Sequence, residues 1–370
     1  MIDKLLKSVV AGFDFPGELL GCEENRTGHI NRTYKVTFRQ GETQQDYLIQ
    51  RINTFAFKKP EEVMENVTLV TEHLRRAILA QGQNPENRVL RVIPSREGRP
   101  LVYDPDGGAW RAYSFIAHAH SVNTVESPEQ FMIVGQAFGE FQSMLSDFPI
   151  GRLHDTIPHF HDTPQRLDNF EASVTKDAVH RAANALEEIA FARKRASAMG
   201  KIVRMIDKGE LPLRVTHNDT KCNNVMVDDA TGEALCVVDL DTVMAGSALY
   251  DFGDAIRFGA STAAEDESDL SKVWLDMELF RAFADGFISR TAANLTDAEL
   301  ENLTLGALVM TFEVGLRFLT DYLDGDVYFH TDYPEHNLVR ARNQFKLLAD
   351  MEVHRSEMEA AARELTRKYK

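Results

Sequence analysis

The stretch His217-Asn218-Asp219-Thr220-Lys221-Cys222-Asn223-Asn224, followed by Asp239, decides the fold of this chain. Asp219, Asn224 and Asp239 supply one carboxylate to orient an attacking hydroxyl, and an amide oxygen plus a second carboxylate to hold Mg²⁺ against phosphates. Apolar runs flank them: Leu211 to Val215 before, Val225 to Val227 after, and Ala234 to Leu240 as a buried strand carrying Asp239 near its end. A polar loop between short strands, with a carboxylate at a strand end, is a chemical site. The plainer alternative is a turn whose Asp and Asn bond local backbone.

Working outward, 370 residues suffice for two domains or lobes with a sizeable core. Hydrophobic residues make up 44% and charged residues 26%, an ordinary globular balance. The 41 basic against 57 acidic residues leave a net charge of -16, which argues against non-specific binding to nucleic acid or an anionic membrane. Cys22, Cys222 and Cys236, with no Cys-x-x-Cys, form neither a disulfide framework nor a zinc cluster and imply a reducing cytoplasm. Met1 to Asp14 lacks the apolar core of a signal peptide, and no later run is expected to approach the length of a membrane span. Cys222 reads as a small filler beside the candidate metal ligands.

Thr27 to Ile52 alternates as a hairpin, with strands at Tyr34 to Phe38 and Tyr47 to Ile52. Pro60 opens a helix whose Val63, Val67, Val70, Leu74 and Ile78 recur at helical spacing. Val89 to Ile93, Pro100 to Tyr103 and Ala109 to Ile116 are three more expected strands. The remainder is expected to be mainly helical, over 128–147, 176–208, 274–290, 297–323 and 337–370.

Three segments carry a family resemblance: H217-N-D-T-K-C-N-N224, V237-V-D-L-D-T-V-M-A-G-S-A-L-Y-D-F-G-D-A-I-R257 and G315-L-R-F-L-T-D-Y-L-D-G-D326. Over nearly its whole length the chain resembles the aminoglycoside-phosphotransferase and choline-kinase branch of the protein-kinase-like fold. Thr220, Lys221, Asn223 and the D-L-D-T-V-M run are similar in particular to the N-acetylhexosamine 1-kinases. That resemblance implies an α+β, two-lobed kinase-like fold, with a small β-rich lobe over 1–116 and a larger helical lobe over 117–370. It implies ATP and Mg²⁺ as cofactors, a small-molecule sugar and ATP as partners with no nucleic acid and no membrane, and phosphorylation of the anomeric 1-hydroxyl of N-acetylglucosamine or N-acetylgalactosamine.

The resemblance also distributes roles. Asp219 is the catalytic base, Lys221 reaches the transferred phosphate, and Asn224 and Asp239 hold the metal. Ser114, Phe115 and Ile116 occupy the connecting segment that offers backbone groups to adenine. Gly28 to Tyr34 is the turn covering the phosphates, although it lacks Gly-x-Gly-x-x-Gly, and His29 and Thr220 join Asp219 beside the acceptor. The third strand lacks its usual phosphate-pairing lysine: Gln50 and Arg51 stand there, and only one of two adjacent strand residues can face inward. If Gln50 faces inward, Lys221 or Arg317 must supply the charge. Glu65, or else Glu72, matches the ion-pair partner on the following helix. Arg317 lies in an apolar helix and is expected to read the acceptor, against the plainer option of an i,i+4 pair with Glu313. His217 and Asp251 are structural, and Asp241 is a supporting carboxylate or a strand-end cap. The His-x-His of Pro158 to Asp162 lacks a third ligand and reads as a loop or pocket wall.

Within the same chemistry the alternatives are an aminoglycoside, choline or homoserine kinase. A catalytically dead binding module is the alternative from another class, and retention of base and both metal ligands argues against it.

Overall fold

The protein, represented by a computed structural model, is described over residues 4–25 and 31–370. By their contacts these residues form two compact units, neither continuous in sequence. The first comprises Met1–Ser121, Asp147–Pro158 and Val225–Ala245; the second comprises Val122–Ser146, His159–Asn224 and Gly246–Lys370.

In the first unit, helix α1 (Lys4–Gly12) precedes strands β1 (Glu18–Asn25), β2 (Arg32–Gln40) and β3 (Thr43–Arg51). Helix α2 (Pro60–Ala80) and strands β4 (Val102–Tyr103) and β5 (Ala109–Ser114) follow. The strands form an antiparallel sheet ordered β1-β2-β3-β5-β4. Alternation dictates its two faces. Val36, Phe38, Tyr47, Ile49, Trp110 and Ala112 bury against Val9, Phe13 and Phe15. Thr33, Gln50, Arg111 and Tyr113 take the opposite face, where Arg111 and Tyr113 both approach the sulfur of Met64 on α2. Pro60 opens α2 with Glu61 and Glu62 in its first turn, and Val63, Val67, Val70, Leu74 and Ile78 are buried along one stripe.

Two expectations fail here. Residues 89–93 form only an isolated bridge, Val92 with Tyr113, plus the bond from Ile93 N–H to the Ala112 carbonyl at 2.9 Å. The fifth strand is instead β1, whose Glu23, Glu24 and Asn25 mask the period-2 pattern. A smaller antiparallel sheet of Ala119–Ser121, Val225–Asp228 and Ala234–Val237 belongs to the same unit. Its last strand stops at Val237 rather than running on, because Asp239 turns into the left-handed region (φ 60°) and a single 3₁₀ turn, Leu240–Thr242, follows.

The second unit contains helices α3 (Pro128–Met144), α4 (Thr163–Lys176), α5 (Leu186–Met199), α6 (Lys201–Asp207), α7 (Ala248–Gly259), α8 (Met277–Thr291), α9 (Asp297–Glu301), α10 (Leu303–Asp324) and α11 (His336–Tyr369). The single helix expected over 176–208 is broken: Asp177 caps α4 in the left-handed conformation, and Gly200 separates α5 from α6. Asn302 likewise splits 297–323 into α9 and α10. Contrary to the sequence expectation, α10 is long and apolar enough to cross a membrane, yet 89% of its most apolar window is buried inside the protein, as befits a core helix. It packs against α7 backbone to backbone. A Cβ at Gly253 would strike the Gly306 carbonyl, and one at Gly306 the Leu249 carbonyl, so both positions require glycine.

Candidate active site

The loop formed by residues 217–224 is held from beneath by α7. Ser247 caps that helix by accepting the Leu249 N–H, and the first turns then present Asp251 and Asp254, both buried, to the loop. Asp251 accepts the N–H groups of His217 (2.9 Å) and Asn218 (2.8 Å), while its carbonyl accepts the Thr220 hydroxyl at 2.6 Å. Asp254 accepts the Thr220 N–H at 3.0 Å. Burial pushes the Asp251 carboxyl up to about 6, against the pull of His217 and the two N–H groups, so it is still ionised at neutral pH. His217 is fully buried, its ring edge-on to Phe138 and Phe141. Asn218 takes a left-handed φ of 63°, which asparagine tolerates. These contacts make His217, Thr220 and Asp251 the frame of the loop.

Within that frame Lys221 Nζ lies 2.9 Å from Asp219 Oδ1, and Asn224 Nδ2 donates to the Asp219 carbonyl (2.8 Å) and Oδ2 (3.2 Å). Burial alone would raise the Asp219 carboxyl, but the Lys221 ammonium, His217 and the Asn224 amide outweigh it and hold the group below the usual carboxylate range. Lys221 is raised in turn, chiefly by Asp219. Because its nitrogen is committed to Asp219, the Asn224 side chain is left with Oδ1 to offer a cation. Cys222 is buried, and desolvation lifts its thiol to about 11, which leaves it unionised at neutral pH.

A cavity of about 610 Å³ opens beside this loop within the second unit, lined by Cys222, Asn123, Arg257, Phe258, Glu265 and Asp276 among others. Arg257 is buried and fixed by Asp254 (3.0 Å) and Glu265 (2.6 Å). Arg317 is elsewhere in the unit, its guanidinium 5.5, 5.8 and 5.4 Å from the rings of Phe160, Tyr328 and Phe329. Glu313 does not pair with it. That fully buried carboxylate instead accepts from His161 Nδ1 and the Thr163 hydroxyl, each at 2.8 Å, and lies 3.3 Å from Arg166 Nε. Burial and the neighbouring Arg317 charge pull Arg166 down to about 10. Asp321 accepts the N–H groups of Val327, Tyr328 and Phe329, fixing two of the rings around Arg317. The His-x-His segment therefore ends as a wall: His161 serves Glu313, and His159 pairs with Asp162 at 2.9 Å.

In the first unit Gln50 and Arg51 diverge as strand neighbours must. Arg51 pairs with Asp104 at 3.4 Å, whereas Gln50 faces Arg111 and accepts from its Nε at 2.9 Å. Arg111, 1% exposed, forks onto Asp241 through Nη1 and Nη2, and Asn31 Nδ2 adds a third bond to Asp241 at 2.7 Å. Among the described residues Glu65 meets no strand cation; it meets His154 at 2.8 Å. The Ser114 and Phe115 N–H groups are already committed to the carbonyls of Arg91 (2.9 Å) and Asp46 (3.4 Å), so those two residues have carbonyls rather than N–H groups to offer adenine; Ile116 is buried. His29, with Gly28 and Ile30 of the covering turn, lies outside the described residues.

A model of the phosphotransferase enzyme family matches residues 21–273. The chain belongs to that family. Among solved structures, this phosphotransferase is similar to an aminoglycoside phosphotransferase from Alicyclobacillus acidocaldarius (13% identity, TM-score 0.60, covering 100% of this chain and 98% of that one). A choline kinase from Cryptosporidium parvum matches at 12% identity and TM-score 0.55, covering 94% and 93%. A spectinomycin phosphotransferase bound to ADP and spectinomycin matches at 13% and 0.54, covering 91% and 94%. At such identities the likeness carries the fold: kinase-like, α+β, with a small antiparallel sheet and a larger helical part. The principal residue that sequence reasoning missed in this phosphotransferase is Arg111. The signal was present, since a lone arginine inside Ala109-Trp110-Arg111-Ala112-Tyr113 is a charge in an otherwise apolar strand and needs a reason.

Proposed function

We propose that this phosphotransferase is an ATP- and Mg²⁺-dependent kinase of small hydroxyl compounds, acting on the anomeric 1-hydroxyl of N-acetylhexosamines in the cytoplasm. The observation that carries the kinase reading is the Asp219, Lys221 and Asn224 cluster, an ionised carboxylate bonded to an ammonium and an amide on a rigid loop. In this reading Asp219 orients the acceptor hydroxyl and takes its proton as the phosphoryl group transfers, while Lys221 spreads the charge developing on the phosphate. Asn224 Oδ1 and the Asp239 carboxylate are hard oxygen donors suited to Mg²⁺, and would hold it. When bound, the ion neutralises nucleotide phosphate charge.

The sugar assignment rests on the Thr220, Lys221, Asn223 and D-L-D-T-V-M resemblance, and it is supported by the setting of Arg317. A planar guanidinium steadied by three aromatic rings, with no ion-pair partner among the described residues, has its fork available to neighbouring sugar oxygens. A cytoplasmic setting agrees with three free cysteines. One observation favours a second reading: Glu265 and Asp276 line the cavity with Arg257 as their only counter-charge in that lining, which would suit a cationic acceptor such as choline or an aminoglycoside. A screen of ATP consumption against N-acetylhexosamines, neutral hexoses, choline and aminoglycosides tests both. Turnover concentrated on the N-acetylhexosamines is expected; turnover confined to the cationic acceptors would replace the sugar reading with the second one.

A further inference from the structure

We propose that Arg111 is a positioning residue for the metal ligand Asp239: by forking onto Asp241, with Gln50 and Asn31 as its supports, it sets the turn that presents Asp239. This rests on the Mg²⁺-nucleotide reading above. The third strand presents Gln50 where kinases of this fold would carry a cation, and the cation stands directly across the ladder on β5, Gln50 being paired with Arg111. Its Nε, Nη1 and Nη2 are all committed, to Gln50 and to both oxygens of Asp241. Arg111 therefore acts through Asp241 rather than by touching a phosphate. Gln50 is held in turn by the Thr33 hydroxyl at 3.0 Å, and Asn31 by the Asn53 N–H at 2.9 Å, so the support is continuous across three strands and the loop after β3.

What the fork restrains is the 3₁₀ turn Leu240–Thr242. Leu240 is 2% exposed, and Asp239 before it takes a left-handed φ of 60°, which aspartate tolerates, so the direction of its carboxylate depends on how the turn after it is held. Lysine at 111 would keep the charge but could not bridge Gln50 and both oxygens of Asp241.

The test is Mn²⁺ binding by the full chain in the presence of ADP, followed by the electron paramagnetic resonance signal of free Mn²⁺. ADP binding without metal is measured separately by calorimetry. Arg111→Lys and the milder Asn31→Ala, each checked for native near-ultraviolet circular dichroism, should weaken Mn²⁺ binding about tenfold or more, as loss of a partner behind a metal ligand does. ADP binding without metal should be unchanged. Native-like variants with Mn²⁺ affinity within about twofold of wild type would overturn the proposal. If Arg111→Lys does not fold, Asn31→Ala and Gln50→Ala decide alone. Should wild type and Asp239→Ala both bind no Mn²⁺ with ADP, the kinase reading falls and this inference with it.

Discussion

The loop of residues 217–224 and the Arg111–Asp241 fork solve the same problem with different materials. Residues 217–224 are contiguous, and their chemistry is arranged by one helix that places two carboxylates beneath the backbone. The fork gathers residues 31, 50, 111 and 241 from separate strands and turns, and its charges cancel inside the sheet. A site built locally exposes its functional atoms and hides its frame. A support built from distant residues has no exposed function, and its parts are recognisable only once the strands are paired.

The comparison is sharpest where a single atom of the loop is changed. Asp219→Asn keeps the shape but removes the carboxylate charge, and kcat should fall by about 10²- to 10⁴-fold or more, with ADP affinity by calorimetry nearly unchanged. Turnover close to wild type would remove Asp219 from the base role. The frame should respond differently: Asp251→Ala strands two buried N–H groups at roughly 1–3 kcal/mol each, so the loss should appear in thermal stability as well as in rate. A variant as stable as wild type would show that the loop does not depend on α7.

Asn224→Ala and Asp239→Ala should raise the Mg²⁺ concentration needed for half-maximal rate, with excess metal rescuing Asn224→Ala better, since Asp239→Ala also loses a charge. Overlapping Mg²⁺ curves would exclude both as ligands. Arg317→Lys should lower kcat/KM for the sugar about tenfold or more, roughly 1.4 kcal/mol per factor of ten, and leave KM for ATP alone. An unchanged sugar kcat/KM in the folded variant would confine Arg317 to packing.

The smallest expected effect is that of pH. Asp219 is held below, and Lys221 above, its ordinary value, so each is charged across the neutral range. A lowered carboxyl loses its native-state contribution only as pH falls through that depressed value, and a raised ammonium only as pH rises past its own. The pH profile of kcat should therefore be flat from about 7 to 9, with the acid limb set by protonation of Asp251, whose burial lifts it to about 6. An acid limb near neutrality that vanishes in Lys221→Met would contradict the pairing.

Most of the fold class was legible in sequence, because the hairpin, the Pro60 helix and the motif-flanking strands carry strong local periods. The misplacements have physical causes. β1 carries consecutive polar residues, 89–93 is apolar yet makes only one bridge, and Asp177, Gly200 and Asn302 interrupt helices whose composition alone runs on. In the site, the loop residues were legible as a group because they are adjacent. Arg111 was not, since its meaning depends on Gln50 standing opposite and on Asp241 arriving from a distant turn.

The most direct measurement is ³¹P nuclear magnetic resonance of the product formed from N-acetylglucosamine, MgATP and the protein. A new phosphomonoester signal coupled to the anomeric proton, absent with Asp219→Asn, is the expected result. No sugar phosphate from any N-acetylhexosamine, or a signal coupled instead to the C6 methylene protons, would contradict the account.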